Sequence, residues 1–452
     1  MKILVCVKII KGEINPFDAC ALEEAFRLGG DVTVLSMCPP SAKDALLALT
    51  RLGARVIMLS DSAFAGSDTL ATSYILSCAA KRLEYDLVLC GRQTIDGDTA
   101  QVGPCLSKML GINLITNALE IKVGERVECK TRLGDESQPL PALVTVERIN
   151  NLRFPSIFSR AGEVEIWNNS VLGCEAERIG LKGSPTQVLK VFESEIGRRK
   201  CRFISKDELM PLINKLSGEN SESEKIKESE KKLKKIVAVG DEVFEAAGAL
   251  GEVVVSVSKG DVSQIVEKIK EENPDAVLWN ADLWGRRNAP VAAAMLNTGL
   301  CADCINLESD GENLYMYRPA SGGNIIAKIK CVTRPQMATV RTVSDGGDIM
   351  VGVGKGVVDI EKVKKFSESI GAELCASRAA VDAGMVGYEA QVGLTGRIVS
   401  PKIYVAIGIS GAVQHTCGIE NAKTVIAINP DKDARIFEYA DYGIVDTAEN
   451  VL

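Results

Sequence analysis

Short apolar runs alternate with stretches of helical spacing along most of this chain, and that rhythm limits the fold more than any other feature. Ile3–Val7, Val32–Leu35, Val56–Leu59 and Leu87–Cys90 are apolar throughout rather than every second residue, as strands covered on both faces require. The pattern predicts an α/β fold built on doubly wound parallel sheets. It returns later in Lys235–Val239, Val253–Val257 and Ala276–Trp279. The two halves also echo each other. Asp86–Leu89 and Ala100–Val102 align without a gap on Asp275–Leu278 and Ala289–Val291, and Pro141–Val146 is echoed by Pro335–Val340, both ending Thr-Val. Two domains of one fold, packed as a pair about a local twofold, are expected.

Between the halves the composition changes. Glu219–Lys232 holds almost nothing to bury, which marks 206–235 as a charged linker. The expected organisation is a first domain over 1–205, the linker, a second domain over 236–341, and a third unit over 342–452 that the repeat does not cover. In that last unit Ala372–Ala376, Lys402–Ile407 and Thr424–Ile428 read as strands, each followed by small or turn-forming residues. Ligands bind where such loops gather at carboxyl strand ends.

A formal charge of -7 with a pI near 5.3 argues against tracking a phosphate backbone, so no nucleic-acid partner is expected. The 14 cysteines are spread along a large chain, the usage of free thiols in a reducing compartment. No stretch reaches the roughly 20 apolar residues of a membrane helix, and a cytoplasmic location is expected.

Gly408–His415 follows directly on a buried strand, and its small residues let backbone N–H groups approach a diphosphate, with a helix expected to start near Ala412. Ala412 stands where a hydrolase elbow needs its second glycine, and His415 lies five residues from Ser410, so a Ser-His-acid triad is not expected. His415 is the single histidine of the chain, a residue as often structural as functional. Gly352–Gly356 fits neither the Gly-x-Gly-x-x-Gly nor the Walker pattern. Cys301–Cys304 has no second pair at metal-site spacing, and a buried thiol pair is expected rather than a metal. Asp96–Gln101 offers carboxylates, a hydroxyl and an amide suited to a ribose or phosphate.

Taken together, Ser377–Gly384, Gln391–Gly396, Gly408–His415, Ala427–Asn429 and Ala440–Val445 resemble, in order and spacing, the FAD domain of the electron transfer flavoprotein alpha subunit. Arg318–Asn324 and Thr333–Arg341 look like the first domain of that subunit, here shortened. Asn15–Asp18, Ala21–Ala25, Gly91–Pro104 and Ile179–Gln187 are similar to the beta subunit. The chain thus resembles a beta and an alpha subunit fused into one polypeptide.

That resemblance implies FAD in the C-terminal unit. Ser377 and Val392, Gly393, Leu394 and Thr395 would line the flavin, and Ser410, Gly411, Ala412 and Val413, followed by Gln414, would hold the pyrophosphate region. Asn429 and Asp446 would meet the adenosine end. Arg378 would set a fixed cation beside the isoalloxazine, with His415 near the pyrimidine carbonyl and the Thr395 hydroxyl near N5. Two departures stand out: Leu394 replaces a glutamine common in the family, and Lys355 an arginine that contacts the cofactor.

In the beta-like half the resemblance implies a second nucleotide, FAD as in electron-bifurcating members or else AMP. It would be held by Cys6, Asn15, Pro16, Phe17, Met37, Asp96, Asp98, Thr99, Ala100, Gln101, Val102 and Gly103. The stretch from Lys8 to Asn15 is shorter than in such subunits, and the basic recognition loop is reduced to Pro155–Arg160. The expected function is electron transfer through FAD between a donor and a partner, such as an acyl-CoA-type dehydrogenase, another flavin or iron-sulfur oxidoreductase, or a quinone- or ferredoxin-linked acceptor. NADH oxidation with bifurcation is the alternative within the family, and an adenine-nucleotide-binding regulatory protein without redox role the alternative outside it.

Overall fold

A computed structural model describes residues 1–132, 134–193, 199–218, 229–320, 325–344, 347–393 and 396–452. By its contacts the chain divides into two compact units, one of Met1–Val191, Ile226–Ser321 and Ala327–Val340, the other of Phe192–Lys225, Gly322–Ile326 and Arg341–Leu452.

The first unit opens with β1 (Lys2–Cys6), α1 (Pro16–Arg27), β2 (Asp31–Met37), α2 (Lys43–Thr50), β3 (Arg55–Leu59), α3 (Thr69–Ala80), β4 (Leu87–Gly91), α4 (Val102–Leu110) and β5 (Asn113–Val123). It continues with β6 (Arg126–Thr131), β7 (Gly134–Pro139), β8 (Ala142–Val146) and β9 (Val164–Trp167), giving one sheet of order β9-β3-β2-β1-β4-β8-β5-β6-β7. Its β9 to β5 portion is parallel, and β6 and β7 extend it as an antiparallel meander. Further on come β10 (Leu233–Val239), α7 (Phe244–Leu250), β11 (Gly251–Val257), α8 (Val262–Glu272), β12 (Ala276–Asn280), α9 (Leu283–Leu296), β13 (Leu300–Cys304) and β14 (Gln336–Val340). Their sheet runs β11-β10-β12-β14-β13, all parallel, in the same order as β2-β1-β4-β8-β5.

The repeat holds to the level of single hydrogen bonds. The register that pairs Leu87 with Ile3 and Ala142 pairs Ala276 with Ile236 and Gln336. Where β5 and β13 bulge away from their partners, Asn117 and Asp303 take left-handed φ values of 60° and 58°. Each then donates its N–H to the threonine of the shared Thr-Val ending, Asn117 to Thr145 at 3.0 Å and Asp303 to Thr339 at 2.8 Å. The two repeats meet through like elements, α4 against α9, with Cys105 Sγ–H donating to the Pro290 carbonyl (3.3 Å) and Gln101 Nε2 to the Leu300 carbonyl (3.0 Å).

The second unit contains β15 (Ile349–Val353), α10 (Ile360–Ser369), β16 (Glu373–Ala376), α11 (Arg378–Asp382), β17 (Ile403–Ile407), α12 (Val413–Thr416), β18 (Thr424–Ile428), β19 (Tyr442–Ile444) and α13 (Ala448–Val451). Its parallel sheet runs β19-β18-β17-β15-β16, and the two-residue strand Arg202–Phe203 is added beside β19.

That added strand moves a boundary drawn from the sequence. Residues near 205 belong with the C-terminal unit, and the span 206–235 is not a linker throughout. Helix α6 (Leu209–Ser217) buries Leu209 and Ile213 in the core formed by Ile349, Val351, Ile403 and Val405. Arg199 pairs with Asp441 and donates to the carbonyls of Ala422 and Lys423. Residues 219–228, the most charged part of the expected linker, lie outside the described residues.

Thr339→Val keeps the shape of the side chain and leaves the Asp303 N–H without its acceptor. The expected cost is about 1–3 kcal/mol, read as a lowered urea midpoint; an unchanged midpoint would count against the hydroxyl as the prop of the bulge.

Candidate functional site

In the second unit the strand order reverses between β15 and β17, since β16 lies on one side of β15 and β17 on the other. At such a switch point the loops after the two central strands part and leave a crevice. Here those loops, Gly354–Gly356 and Gly408–Ala412, touch at their base. Gly354 N–H donates to the Ile407 carbonyl at 2.8 Å and Gly356 N–H to the Gly408 carbonyl at 3.3 Å. A Cβ on Gly354 would stand 1.9 Å from the Gly408 oxygen, and one on Gly411 (φ +84°) 2.1 Å from the Ile436 nitrogen. Only glycine permits this approach.

Every residue expected around FAD that the structure describes lies at this edge of the sheet. Lys355 follows β15 and is exposed; Ser377 and Arg378 follow β16; Ser410, Gly411, Ala412, Val413, Gln414 and His415 follow β17; Asn429 follows β18 and Asp446 follows β19. Among the described residues, the N–H groups of Ser410, Gly411 and Ala412 donate to no protein acceptor, in the loop expected to meet a diphosphate. The helix expected near Ala412 is present as α12, only four residues long. Leu394 and Thr395 lie outside the described residues.

Several of these side chains build the rim. Ser377 caps α11, accepting from Ala380 N–H at 3.4 Å, which fixes where Arg378 leaves the helix. The Arg378 guanidinium meets Asp382 one turn on at 3.2 Å. Asn429 ties neighbouring loops together, donating to the Ile409 carbonyl (2.9 Å) and accepting from Asp431 N–H (2.9 Å). Asp446 accepts from Asn450 Nδ2 (2.9 Å) and Thr447 N–H (2.8 Å), and these bonds, the Asn450 one first, hold its carboxyl below the usual range.

His415 is 5% exposed, and both its ring nitrogens are used inside the protein. Nδ1 faces the Val392 carbonyl at 3.1 Å and must donate; Nε2, 3.0 Å from the Tyr404 hydroxyl, therefore accepts. The Cys375 thiol completes the chain by donating to Tyr404 at 3.5 Å. A bond from His415 to a pyrimidine carbonyl would need a nitrogen that Val392 or Tyr404 already holds. What the histidine does in this structure is fix the Val392–Gly393 turn, which packs so close that a Cβ on Gly393 would lie 2.2 Å from the Gln414 oxygen. Burial pushes its pKa down to about 4, with the Val392 bond opposing, so the ring is neutral at pH 7.

In the first unit the residues expected around a second nucleotide fall into two groups. Cys6 ends β1, Met37 ends β2, and Asp96, Asp98, Thr99 and Ala100 form an open loop after β4, with left-handed φ at Asp98 and Ala100. The others hold that loop in place. Asn15 is fully buried, donating to the Gln93 carbonyl (2.9 Å) and accepting from Ile95 N–H (3.2 Å). Pro16 starts α1, and Phe17 is buried with the Arg92 guanidinium 5.8 Å from its ring. Gln101 accepts from the Thr69 hydroxyl. Val102 begins α4, and a Cβ on Gly103 would lie 2.5 Å from Thr145 Cγ2.

Sequence inspection missed two parts of this region. Asp18 joins the ends of β1 and β4 by accepting from Lys8 N–H (2.8 Å) and Gly91 N–H (3.1 Å), and burial raises its pKa to about 7 against those bonds. Between the repeats, a cleft of about 20 Å³ is lined by Arg92, Gln93, Asp98, Asn117, Arg286 and Asp303. Arg92 and Arg132 share the buried Glu147 carboxylate at 2.8 and 3.0 Å. Three charged residues so far apart in sequence carry no local signal. The described residues contain no cluster that could hold a metal ion.

The family model described as electron transfer flavoprotein domain matches residues 3–172 and 218–350, and that of the electron transfer flavoprotein FAD-binding domain matches residues 345–420. The chain belongs to the electron transfer flavoprotein family. It is 38% identical over 236 residues to an electron transfer flavoprotein subunit alpha of Thermoanaerobacterium thermosaccharolyticum, covering 42% of this chain and 72% of the relative. It is 40% identical over 198 residues to a subunit beta of Clostridium acetobutylicum, covering 40% and 76%. Protein FixA of Azotobacter vinelandii is 43% identical over 223 residues, covering 44% and 79%. Matches to both kinds of subunit, each over about two fifths of the chain, are those of a fused electron transfer flavoprotein. No helix among the described residues is long and apolar enough to cross a membrane.

The buried histidine makes stability pH-dependent with a definite sign. Unfolded, it takes a proton near 6.5; folded, only near 4. Its contribution is full above pH 6.5 and is lost as the pH falls towards 4, by about 3 kcal/mol in all. His415→Asn, measured by urea unfolding across that window, should flatten the acid limb; equal slopes in the two proteins would refute the buried neutral ring.

Proposed function

We propose that this chain is an electron carrier with FAD seated at the switch point of its C-terminal unit, and with a second nucleotide, FAD in preference to AMP, on the first repeat. The observation that carries the first part is the glycine cradle between β15 and β17, where unused N–H groups of Ser410, Gly411 and Ala412 stand beside the closest backbone approach in the unit. Bound FAD would supply the one- and two-electron chemistry. The residues of the chain would do the rest: the N–H groups hold the diphosphate, Ser377 orients α11, and Arg378 places a permanent positive charge at the rim. Asn429 and Asp446 would frame the adenosine end, and Lys355 would stand at the mouth. Such a carrier needs no general base of its own.

The open Asp96–Ala100 loop, braced from below by Asn15, Phe17 and Gln101, supports the second nucleotide. Its carboxylates and Thr99 hydroxyl suit a ribose. Partners would be a dehydrogenase of the acyl-CoA type or another flavin or iron-sulfur oxidoreductase.

Denaturing the pure protein and quantifying released nucleotides tests both parts. Two FAD per chain are expected. One FAD with one AMP would leave the carrier and remove the second flavin, whereas a colourless protein that takes up AMP but not FAD would overturn the redox role. Anaerobic mixing with NADH separates a plain carrier from a bifurcating enzyme, since direct bleaching of flavin absorbance is expected only in the second. Arg378→Gln should lower the potential of the first electron by about 50 mV, the loss of roughly 1 kcal/mol from a partly exposed cation, with FAD still bound.

A further inference from the structure

We propose that two copies of this chain pair along β11, the edge strand of the second repeat, in an antiparallel contact whose twofold axis passes through Val254. Comparing the repeats locates that edge. In the first, β2 pairs with β3 from Thr33 to Met37, and β9 and α5 (Asn169–Leu172) lie beyond. In the second, β11 stands where β2 does and the sheet stops there. Its sequence, Gly-Glu-Val-Val-Val-Ser-Val, has the continuous apolar run of a strand inside a sheet. Yet Val253 is 51% exposed, and Val254, Val255 and Val257 are only half-buried.

The main chain of β11 offers a row of donors and acceptors on its open side. Gly240 N–H donates to the Val257 carbonyl at 2.9 Å, so Val253, Val255 and Val257 turn their N–H and C=O groups towards β10. Alternation along the ladder sends those of Glu252, Val254 and Ser256 the other way, to the side where no strand pairs among the described residues. Such a row recruits another strand unless it is guarded. The other ends of the three largest sheets have guards. β7 carries Asp135, Glu136 and Pro139, β9 ties Glu165 to Arg55, and β13 bulges at Asp303. The Ala376 carbonyl of β16 accepts from Val392 N–H at 2.9 Å, and Arg202–Phe203 is two residues long. β11 has no bulge, no proline and no charge after Glu252.

The strand complements itself. Val254 is the midpoint of Gly251–Val257, so an axis there gives every residue of each strand a partner. Val254 then faces Val254 and Glu252 faces Ser256 as hydrogen-bonded pairs, while Val253 faces Val255 in the closer pairs between them. Glu252, the one charge, meets a hydroxyl and no like charge. Equal surfaces meet about a twofold axis, and the contact closes at two copies. The charged run Glu219–Glu228 of the same chain, with Ile226 its single apolar residue, is no match for four valines.

The test uses the full chain. Light scattering across a dilution series should give about twice 48.4 kDa at high concentration and a single chain on dilution. Val253→Lys brings an ammonium into the seam from a position that is already exposed, and should raise the midpoint concentration at least about ten-fold. Val332→Lys, equally exposed at 51% in the same unit, should leave it unchanged. Val254→Cys reads the seam in a second way. Backbones of a hydrogen-bonded pair stand about 5.5 Å apart, within the span of a disulfide, so mild copper-catalysed oxidation should join two chains through two copies of that peptide. Circular dichroism checks that each variant is folded. A single-chain mass at every concentration, a dimer that folded Val253→Lys leaves as stable as before, or a dimeric Val254→Cys protein that never cross-links there would overturn the proposal.

Discussion

The C-terminal unit depends on two backbone loops approaching until nothing but hydrogen fits between them. Gly354 against Gly408, Gly411 against Ile436, and Gly393 against Gln414 each leave a gap that a single methyl group would close. This contact brings the ends of β15 and β17 together at their bases in a floor made of main chain. A floor of main chain has consequences for chemistry, because its N–H groups are small, fixed and close to whatever lies above. The same demand explains why glycine and alanine crowd these turns when larger residues would bury more surface.

Around that floor the polar side chains act mainly on the protein itself. Asn15, Asn429, Gln101 and His415 look in sequence like ligand contacts, because they sit in strand-end loops and carry donors and acceptors. In the fold each satisfies backbone or side-chain partners, and buried polar groups left otherwise would be costly. They hold the loops, and among the described residues the N–H groups of Ser410, Gly411 and Ala412 are left without a protein acceptor. Residue type and position picked out the strand-end loops, but could not say which of their donors the protein itself uses.

Strands and the repeat were legible because both rest on local pattern: continuous apolar runs, and a Thr-Val ending whose hydroxyl props the same bulge twice. What escaped was long-range. The spacing of Leu209, Leu212, Ile213 and Leu216 is that of an apolar helix face, yet the charge run just beyond it drew the stretch into a linker. Nothing in Arg202–Phe203 tells that it will extend a sheet built from residues beyond 349, and nothing local joins Arg92 and Arg132 to Glu147. The repeats have also diverged at their equivalent edges. Where the first leaves the open Asp96–Ala100 loop, the second sets Lys259 between Glu242 and Asp282 at 2.5 and 2.7 Å beside the stacked Trp279 and Trp284 rings. An ion pair network closes that edge upon itself, while on the first repeat Lys8 Nζ meets Asp96 at 2.6 Å and Gln93 Nε2 donates to Asp98 at 3.0 Å.

The electrostatics of the C-terminal crevice follow from which groups can change charge. His415 could have made its field swing across neutral pH, but burial, against the Val392 bond, keeps it uncharged until the pH falls towards 4. Tyr404 and Cys375, the other members of that chain, are buried and pushed the opposite way, so they too stay neutral. The Arg378 guanidinium, which does not lose its proton in a protein, then adds a constant positive charge beside Asp382. A group that gains negative charge on reduction would meet a constant field there. Its affinity for the first electron would vary with its own chemistry rather than with the protonation of the pocket, which is the behaviour an electron carrier working between fixed donors and acceptors requires.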